Sequence, residues 1–204
     1  MLTGSFYPSS GLKYLYEKLT AYGNSDYYAF HMPGHKRNME LMRARLPYNI
    51  DITEIDGFDD LHHAEGLLKE LQENAARVFQ AEETHYLVNG STVGLLSAVM
   101  GCTERGGRIL TARNCHKSVY NAVYMNELRP VYIYPEFSEE TDLNGEIHVD
   151  QIKKLLEEYE DIQAVVIVSP TYEGVVSDIE AIAEIVHEYK IPPVSYTHLR
   201  AHET

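Results

Sequence analysis

Three short segments place small, hydroxylated or nitrogen-bearing residues where predicted strands end and helices begin. They are Asn89-Gly90-Ser91-Thr92-Val93-Gly94, Asn114-Cys115-His116-Lys117-Ser118 and Ser169-Pro170-Thr171-Tyr172-Glu173-Gly174. Free backbone N–H groups and hydroxyls at a helix start bind anions, because the positive end of the helix dipole lies there. We predict a phosphate site at Gly90, Ser91 and Thr92. An ordinary N-cap by Ser91 or Thr92, with Gly94 for close packing, explains the same residues equally well.

The second and third segments add groups that could surround the rest of a phosphorylated ligand. His116 and Lys117 could stack on or pair with an anionic ring system, or could simply be solvated. The hydroxyls of Ser169 and Thr171 follow the most convincing strand of the chain. Ligands of parallel α/β sheets bind at the carboxyl ends of the strands, so we expect the three segments to share one edge of a sheet.

The elements that must position these residues alternate in type from residue 85 onwards. The predicted strands are 85–88, 108–111, 130–134 and 162–169, and the predicted helices are 91–101, 117–128, 149–159 and 178–189. This alternation predicts an α/β fold with right-handed crossovers and a mainly parallel sheet that carries helices on both faces.

The first 66 residues are less regular. Apolar spacing predicts a helix over 11–22 that ends at Gly23, and Asn38 can cap a short helix that runs to Leu46. Residues 30–38 and 50–66 are predicted loops, and 67–79 a packed helix. We therefore divide the chain into an arm with an entrance loop (1–46), a large domain (47–193) and a tail (194–204).

Composition excludes several classes of protein. With 17 Lys and Arg against 31 Asp and Glu, the net charge of −14 argues against nucleic acid as a partner. Two cysteines without C-x-x-C spacing fit a reducing cytoplasm, and no apolar run approaches the length needed to cross a bilayer. We expect a cytoplasmic protein without a membrane partner.

The last eleven residues, Val194 to Thr204 (VSYTHLRAHET), do not continue this pattern. A buried apolar strand should begin near Ile191, but polar residues follow instead. The peptide resembles the translation of a common transposase-type sequencing adapter, so we exclude it from the expected fold as one excludes a fusion scar. A natural irregular C-terminus is the alternative.

Five strings in order resemble the large-domain signatures of the pyridoxal-phosphate-dependent Orn/Lys/Arg decarboxylase family. They are FHMPGHKRN (30–38), DITEIDGFDDLHHAEG (51–66), YLVNGSTVG (86–94), ARNCHKSVY (112–120) and SPTYEGVVSDI (169–179). The resemblance implies the aspartate-aminotransferase type of fold, pyridoxal 5'-phosphate as cofactor, a homodimer or larger homo-oligomer with shared active sites, and α-decarboxylation of a basic amino acid.

The resemblance also implies roles for individual residues. Ser91 and Thr92 would hold the cofactor phosphate, with Gly90 allowing close backbone approach, and His116 would lie as a catalytic group against the pyridine ring. Ser169 or Thr171 would approach the phenolic oxygen of the cofactor. Residues in loops that resemble entrance or dimer-contact segments receive no individual role, and capping or interface packing explains them as well: His35, Lys36, Asp51, Thr53, Glu54 and His62.

The family's D-E-A-H segment and the segment with the Schiff-base lysine should follow Pro193, and neither occurs in this chain. Lys36 and Lys117 are not credible substitutes, so we expect the 204-residue chain to be an inactive fragment of the enzyme. The phosphate site and the stacking histidine do not dictate which bond breaks. An aminotransferase or another lyase of this fold therefore remains the main alternative, and a regulatory protein without catalysis is a further one.

Metal chemistry is a weaker hypothesis. His31 and His35 have the i, i+4 spacing of zinc ligands, but Pro33 and Gly34 between them prevent the helix that would direct both rings at one metal. His63-Ala64-Glu65 lacks the partner segment of a zinc deaminase. We expect no metal site, and we expect the adjacent carboxylates Asp59 and Asp60 to be solvated.

Overall fold

The computed structural model describes residues 15–40 and 46–197, and the chain divides between Tyr86 and Leu87 into two compact units. None of the helices in these ranges has both the length and the apolar character that a bilayer-crossing segment requires.

The first unit contains α1 (Leu15–Gly23), a 3-10 turn (Tyr48–Ile50) and α2 (Leu67–Phe79). The predicted stop of α1 at Gly23 and the bounds predicted for α2 are confirmed, as are the two predicted loops. The start of the predicted helix over 11–22 and most of the helix predicted from Asn38 to Leu46 lie outside the described residues.

Asp59 organises the loop that leads into α2. Its Oδ1 accepts hydrogen bonds from the backbone N–H groups of Asp60 (2.9 Å) and Glu65 (3.1 Å), and its Oδ2 from those of Gly66 and Leu68 (both 2.9 Å). These bonds stabilise the charged form of the carboxylate, and the bond from Glu65 contributes most. They hold the pKa of Asp59 far below its usual range. Asp59 therefore has a capping role that the sequence pattern did not predict.

The second unit contains the parallel sheet, in the strand order β2-β1-β5-β6. Its elements are α3 (Gly90–Cys102), β1 (Arg108–Ala112), α4 (Lys117–Met125), β2 (Arg129–Ile133), β3 (Phe137–Ser138), β4 (Leu143–Asn144), α5 (Val149–Glu158), β5 (Ile162–Val168), α6 (Ile179–Glu188) and β6 (Pro193–Tyr196). β3 and β4 form a small antiparallel hairpin that was not predicted.

Alternate residues of the central strands fill two cores, one on each face of the sheet. Val165 and Ile167 of β5 pack in one core with residues of α5 and α6, including Ile182. Ala164 and Val166 pack in the other core with residues of α3 and α4. The predicted α/β fold, with a parallel sheet between two helical layers, is confirmed.

Three expectations about elements are wrong. Residues 85–88 form no strand, because no described strand pairs with them to satisfy their backbone groups, and Leu87 and Val88 are exposed. α4 ends at Met125 rather than 128, where Asn126 caps it. Residues 194–196 do belong to the sheet, since β6 pairs with β5 from Val165 to Val168.

Charged side chains link neighbouring strands at the amino-terminal edge of the sheet. Asp161, just before β5, accepts hydrogen bonds from Arg108 Nε (2.5 Å) at the start of β1 and from an Arg129 NH2 group (3.1 Å) at the start of β2. The contact with Arg108 is the main cause of a lowered pKa of Asp161. One carboxylate thus links the starts of three strands.

Candidate cofactor site

The start of α3 has the features that a phosphate group requires. Asn89, its N-cap residue, makes no side-chain hydrogen bond to the helix, and the first turn carries no acidic residue. Ser91 and Thr92 are exposed. The first turn of α3 therefore has N–H groups without a side-chain cap from Asn89 and two exposed residues with hydroxyls, and the helix dipole favours an anion there.

Gly90 leaves open space beside this turn. Asn89 and Gly90 have φ angles of 66° and 71°, in the left-handed region. A Cβ atom built at Gly90 would have no atom within 4 Å, so the space is free, while the positive φ favours glycine. The residues present fit a phosphate close to the backbone.

His116 follows β1 and caps α4. Its Nδ1 accepts a hydrogen bond from the backbone N–H of Ser118 (3.3 Å) and lies 2.7 Å from Ser118 Oγ. The ring is therefore held at the carboxyl end of the sheet by Ser118. Stacking of this ring on a ligand stays a prediction.

Tyr196 connects the two predicted halves of the site. Its hydroxyl lies 3.4 Å from Ser91 Oγ, and its ring centroid lies 5.6 Å from that of His116, with the planes inclined by 46°. The start of α3 and the His116 ring therefore lie within reach of the same aromatic side chain. The sequence pattern did not predict this contact, because residues 194–204 were excluded from the expected fold.

Ser169 and Thr171 lie in the loop after β5, and both are only 5% exposed. Ser169 Oγ accepts a hydrogen bond from the N–H of Ser177 (3.0 Å), and Thr171 Oγ1 accepts one from the N–H of Val175 (3.2 Å). Both hydroxyls thus hold this loop together, and a role toward a cofactor stays a prediction.

Two further side chains occupy the segment before His116. Asn114 Oδ1 is buried and has no hydrogen-bond partner among the described residues. Burial raises the pKa of the Cys115 thiol to about 11, although Thr111 opposes this effect with a hydrogen bond of 3.1 Å. Cys115 is therefore a packing residue and not an activated nucleophile.

The loop residues without an assigned role belong to the first unit. His35 Nε2 lies 3.3 Å from Asp51 Oδ2, Lys36 Nζ donates to the carbonyl oxygen of His31 (2.5 Å), and Thr53 Oγ1 donates to that of Met32 (3.4 Å). Glu54 is exposed, and the His62 N–H donates to Asp60 Oδ1 (2.8 Å).

The histidines considered as zinc ligands have other partners. His31 Nε2 lies 2.5 Å from the hydroxyl of Tyr22, while His35 contacts Asp51. Within residues 15–40 and 46–197, no group of three or more His, Cys, Asp and Glu side chains is placed to hold a metal ion.

The parallel sheet between two helical layers places the chain in the class of proteins with an aspartate-aminotransferase type of large domain. The structure of E. coli constitutive lysine decarboxylase shares this fold, with a TM-score of 0.70 at 23% identity over 84% of this chain and 27% of that chain. The profile of the Orn/Lys/Arg decarboxylase family, major domain, matches residues 13–196, and the chain belongs to this family.

Curated relatives agree with this assignment. The chain is 37% identical over 183 residues to the Bacillus subtilis protein YaaO, covering 87% of this chain and 38% of the relative. It is 33% identical over 184 residues to an arginine decarboxylase of Bacillus cereus, covering 87% and 40% respectively. The chain thus spans about two fifths of the length of these relatives.

Proposed function

We propose that this chain is the cofactor-binding part of a pyridoxal-phosphate-dependent decarboxylase of arginine, lysine or ornithine. The observation that supports this most directly is that Ser91 at the start of α3 and the ring of His116 lie close enough together for one side chain, that of Tyr196, to contact both. The likeness to an arginine decarboxylase at 33% identity supports the class of reaction.

In this proposal, Ser91, Thr92 and the N–H groups of the first turn of α3 bind the cofactor phosphate beside Gly90. The imidazole of His116 lies against the pyridine ring and limits its tilt. Ser169 or Thr171 donates a hydrogen bond to the phenolic oxygen. Thr171 Oγ1 accepts a bond from Val175 and still has a proton to donate, whereas Ser169 would give up its donation to the carbonyl oxygen of Ser177 (3.5 Å). When bound, the cofactor supplies a protonated ring that withdraws electrons from the bond to be broken.

The proposal extends to the organisation of the protein. Residues 1–46 form an arm and entrance loop, residues 47–193 belong to the cofactor domain, and residues 194–204 derive from an adapter. The active enzyme is a cytoplasmic homodimer or larger homo-oligomer, and the 204-residue chain alone is inactive because its lysines include no Schiff-base residue. Resequencing past the codon of Pro193 tests the tail, since a native stop codon after Thr204 would contradict an adapter origin.

The decisive experiment uses the full-length protein encoded at the same locus. It is incubated with arginine, lysine and ornithine while carbon dioxide and keto-acid products are both followed. We expect carbon dioxide from one of the three substrates. Keto acid without carbon dioxide would establish the aminotransferase alternative, and the absence of both products with all three substrates would contradict the proposed function.

A further inference from the structure

The side chain of Ser118 contacts the ring of His116. We propose that Ser118 is a positioning residue that fixes His116 in one neutral tautomer, with the proton on Nε2, and in one ring orientation. A benefit of this fixed ring for catalysis rests on the proposed function, but the tautomer and orientation of the His116 ring do not depend on a bound cofactor.

The contact between the two residues is short and buried. Ser118 is 1% exposed, and its Oγ lies 2.7 Å from His116 Nδ1. The backbone N–H of Ser118 also points at Nδ1, at 3.3 Å. Two donors of one residue therefore converge on a single ring nitrogen.

This geometry determines where the proton is. A backbone N–H can only donate, so Nδ1 must present its lone pair to it, and the hydroxyl of Ser118 then donates to the same nitrogen. The proton of the neutral ring consequently lies on Nε2. A proton on Nδ1 would break the bond from the backbone N–H and would make the hydroxyl of Ser118 an acceptor, so one of the two hydrogen bonds would be lost.

The helix that carries Ser118 is itself well anchored. The N–H of Val119 donates to the carbonyl oxygen of His116 (3.0 Å), and Val119 and Ala122 are fully buried against the sheet. The hydroxyl of Ser118 therefore has a fixed position relative to β1 and β5. Because a free imidazole can rotate about two torsions, a rigid donor at Nδ1 removes much of that freedom before any ligand binds.

For a residue that stacks on a pyridine ring, a fixed plane and a fixed charge are both useful. A neutral ring that is already oriented loses less conformational entropy when the ligand binds. A hydrogen bond of this kind is worth roughly threefold to tenfold in affinity. We therefore expect Ser118 to contribute about that factor to cofactor binding, without contact to the cofactor.

His148 provides an internal control. It precedes α5 as His116 precedes α4, but the charged groups near its ring are carboxylates: Glu136 at 3.6 Å from Nε2 and Glu146 at 3.7 Å from Nδ1. Its ring should not respond to a change at Ser118.

The test is a measurement of histidine tautomers by NMR on the 204-residue chain with 15N-labelled histidine rings, assigned through His116→Gln and His148→Gln. The wild type should show His116 only as the Nε2–H tautomer. Ser118→Ala keeps only the backbone contact at 3.3 Å, which is the longer and weaker of the two, so it should admit a fraction of the Nδ1–H tautomer at His116 and leave His148 unchanged. Ser118→Thr, which keeps a hydroxyl, should restore the single tautomer.

Two results would overturn the inference: an Nδ1–H tautomer of His116 in the wild type, or a single Nε2–H tautomer that persists in Ser118→Ala. An unchanged His148 spectrum shows that Ser118→Ala is still folded. In the full-length enzyme, Ser118→Ala should weaken pyridoxal phosphate binding roughly threefold to tenfold. If the tautomers behave as expected but affinity does not change, the role of His116 at the cofactor is wrong while the role of Ser118 at the ring stands.

Discussion

Removal of the hydroxyls at the start of α3 should weaken binding of a phosphorylated ring compound. Hydrogen bonds to a charged group contribute about 1.5–3 kcal/mol each, and 1.4 kcal/mol corresponds to a tenfold change in affinity. Ser91→Ala and Thr92→Ala should therefore each weaken binding by about 10-fold to 150-fold. Both hydroxyls are exposed and lie in a turn without an acidic residue, so no internal anion replaces the ligand.

The assay is calorimetric titration of the 204-residue chain with pyridoxine 5'-phosphate, which lacks the aldehyde that reacts with surface lysines. A Tyr196→Ala background is used, because the Tyr196 hydroxyl lies 3.4 Å from Ser91 Oγ and would compete for the same space. Ser97→Ala is the matched control, since Ser97 is an exposed residue later in α3.

Two outcomes would refute the phosphate site. One is equal affinity of Ser91→Ala, Thr92→Ala and Ser97→Ala for pyridoxine 5'-phosphate. The other is equal affinity of the parent chain for pyridoxine with and without its phosphate, because binding would then not depend on the anion at the helix start.

Three further predictions concern other parts of the chain. Asp59→Asn should accelerate hydrogen exchange at the Gly66 and Leu68 amides, whereas Asp56→Asn should not. Because the pKa of Asp59 is lowered on folding, its contribution to stability is complete above the unfolded value of about 3.9 and is lost as pH falls below it, which acid titration followed by circular dichroism should show. Cys115, with a pKa raised to about 11, should resist iodoacetamide at pH 8 until the chain unfolds, as mass spectrometry of the labelled peptide can establish; rapid labelling in the folded state would contradict the burial. Ile182→Ala should lower the free energy of unfolding by about 2–4 kcal/mol in urea titrations, since Ile182 is fully buried, whereas Val176→Ala at an exposed position should change it by less than about 0.5 kcal/mol.

The elements of the second unit were largely predictable because each has a strong local signal. The β-branched run Ala164–Val168 indicates a strand buried on both faces, and the structure places its alternate residues in two cores. Asp178 indicates the start of α6, where its Oδ1 accepts a hydrogen bond from the N–H of Ala181 (3.0 Å). These features depend only on neighbours in sequence.

What could not be predicted depends on distant partners. The strand expected at 85–88 has suitable residues but no described strand beside it, and β-structure requires a partner. The bonds of Asp59 to Gly66 and Leu68, and the closure of Ser169 on Ser177, join residues seven to nine positions apart, without a periodic pattern. Within the candidate site, the approach of Ser91 toward His116 follows only from the order of strands in the sheet.

The linkage of Arg108, Arg129 and Asp161 lies at the edge of the sheet opposite the candidate cofactor site. The residues that link the starts of these three strands are therefore different from those proposed to bind the cofactor phosphate. An engineer who seeks a more heat-resistant variant can alter the amino-terminal edge, for example around Asp161, without disturbing the groups at the start of α3. Gains in stability commonly cost activity where the residues for folding and for binding overlap. Around Asp161 they do not overlap, whereas Ser169 and Thr171 also hold their own loop together.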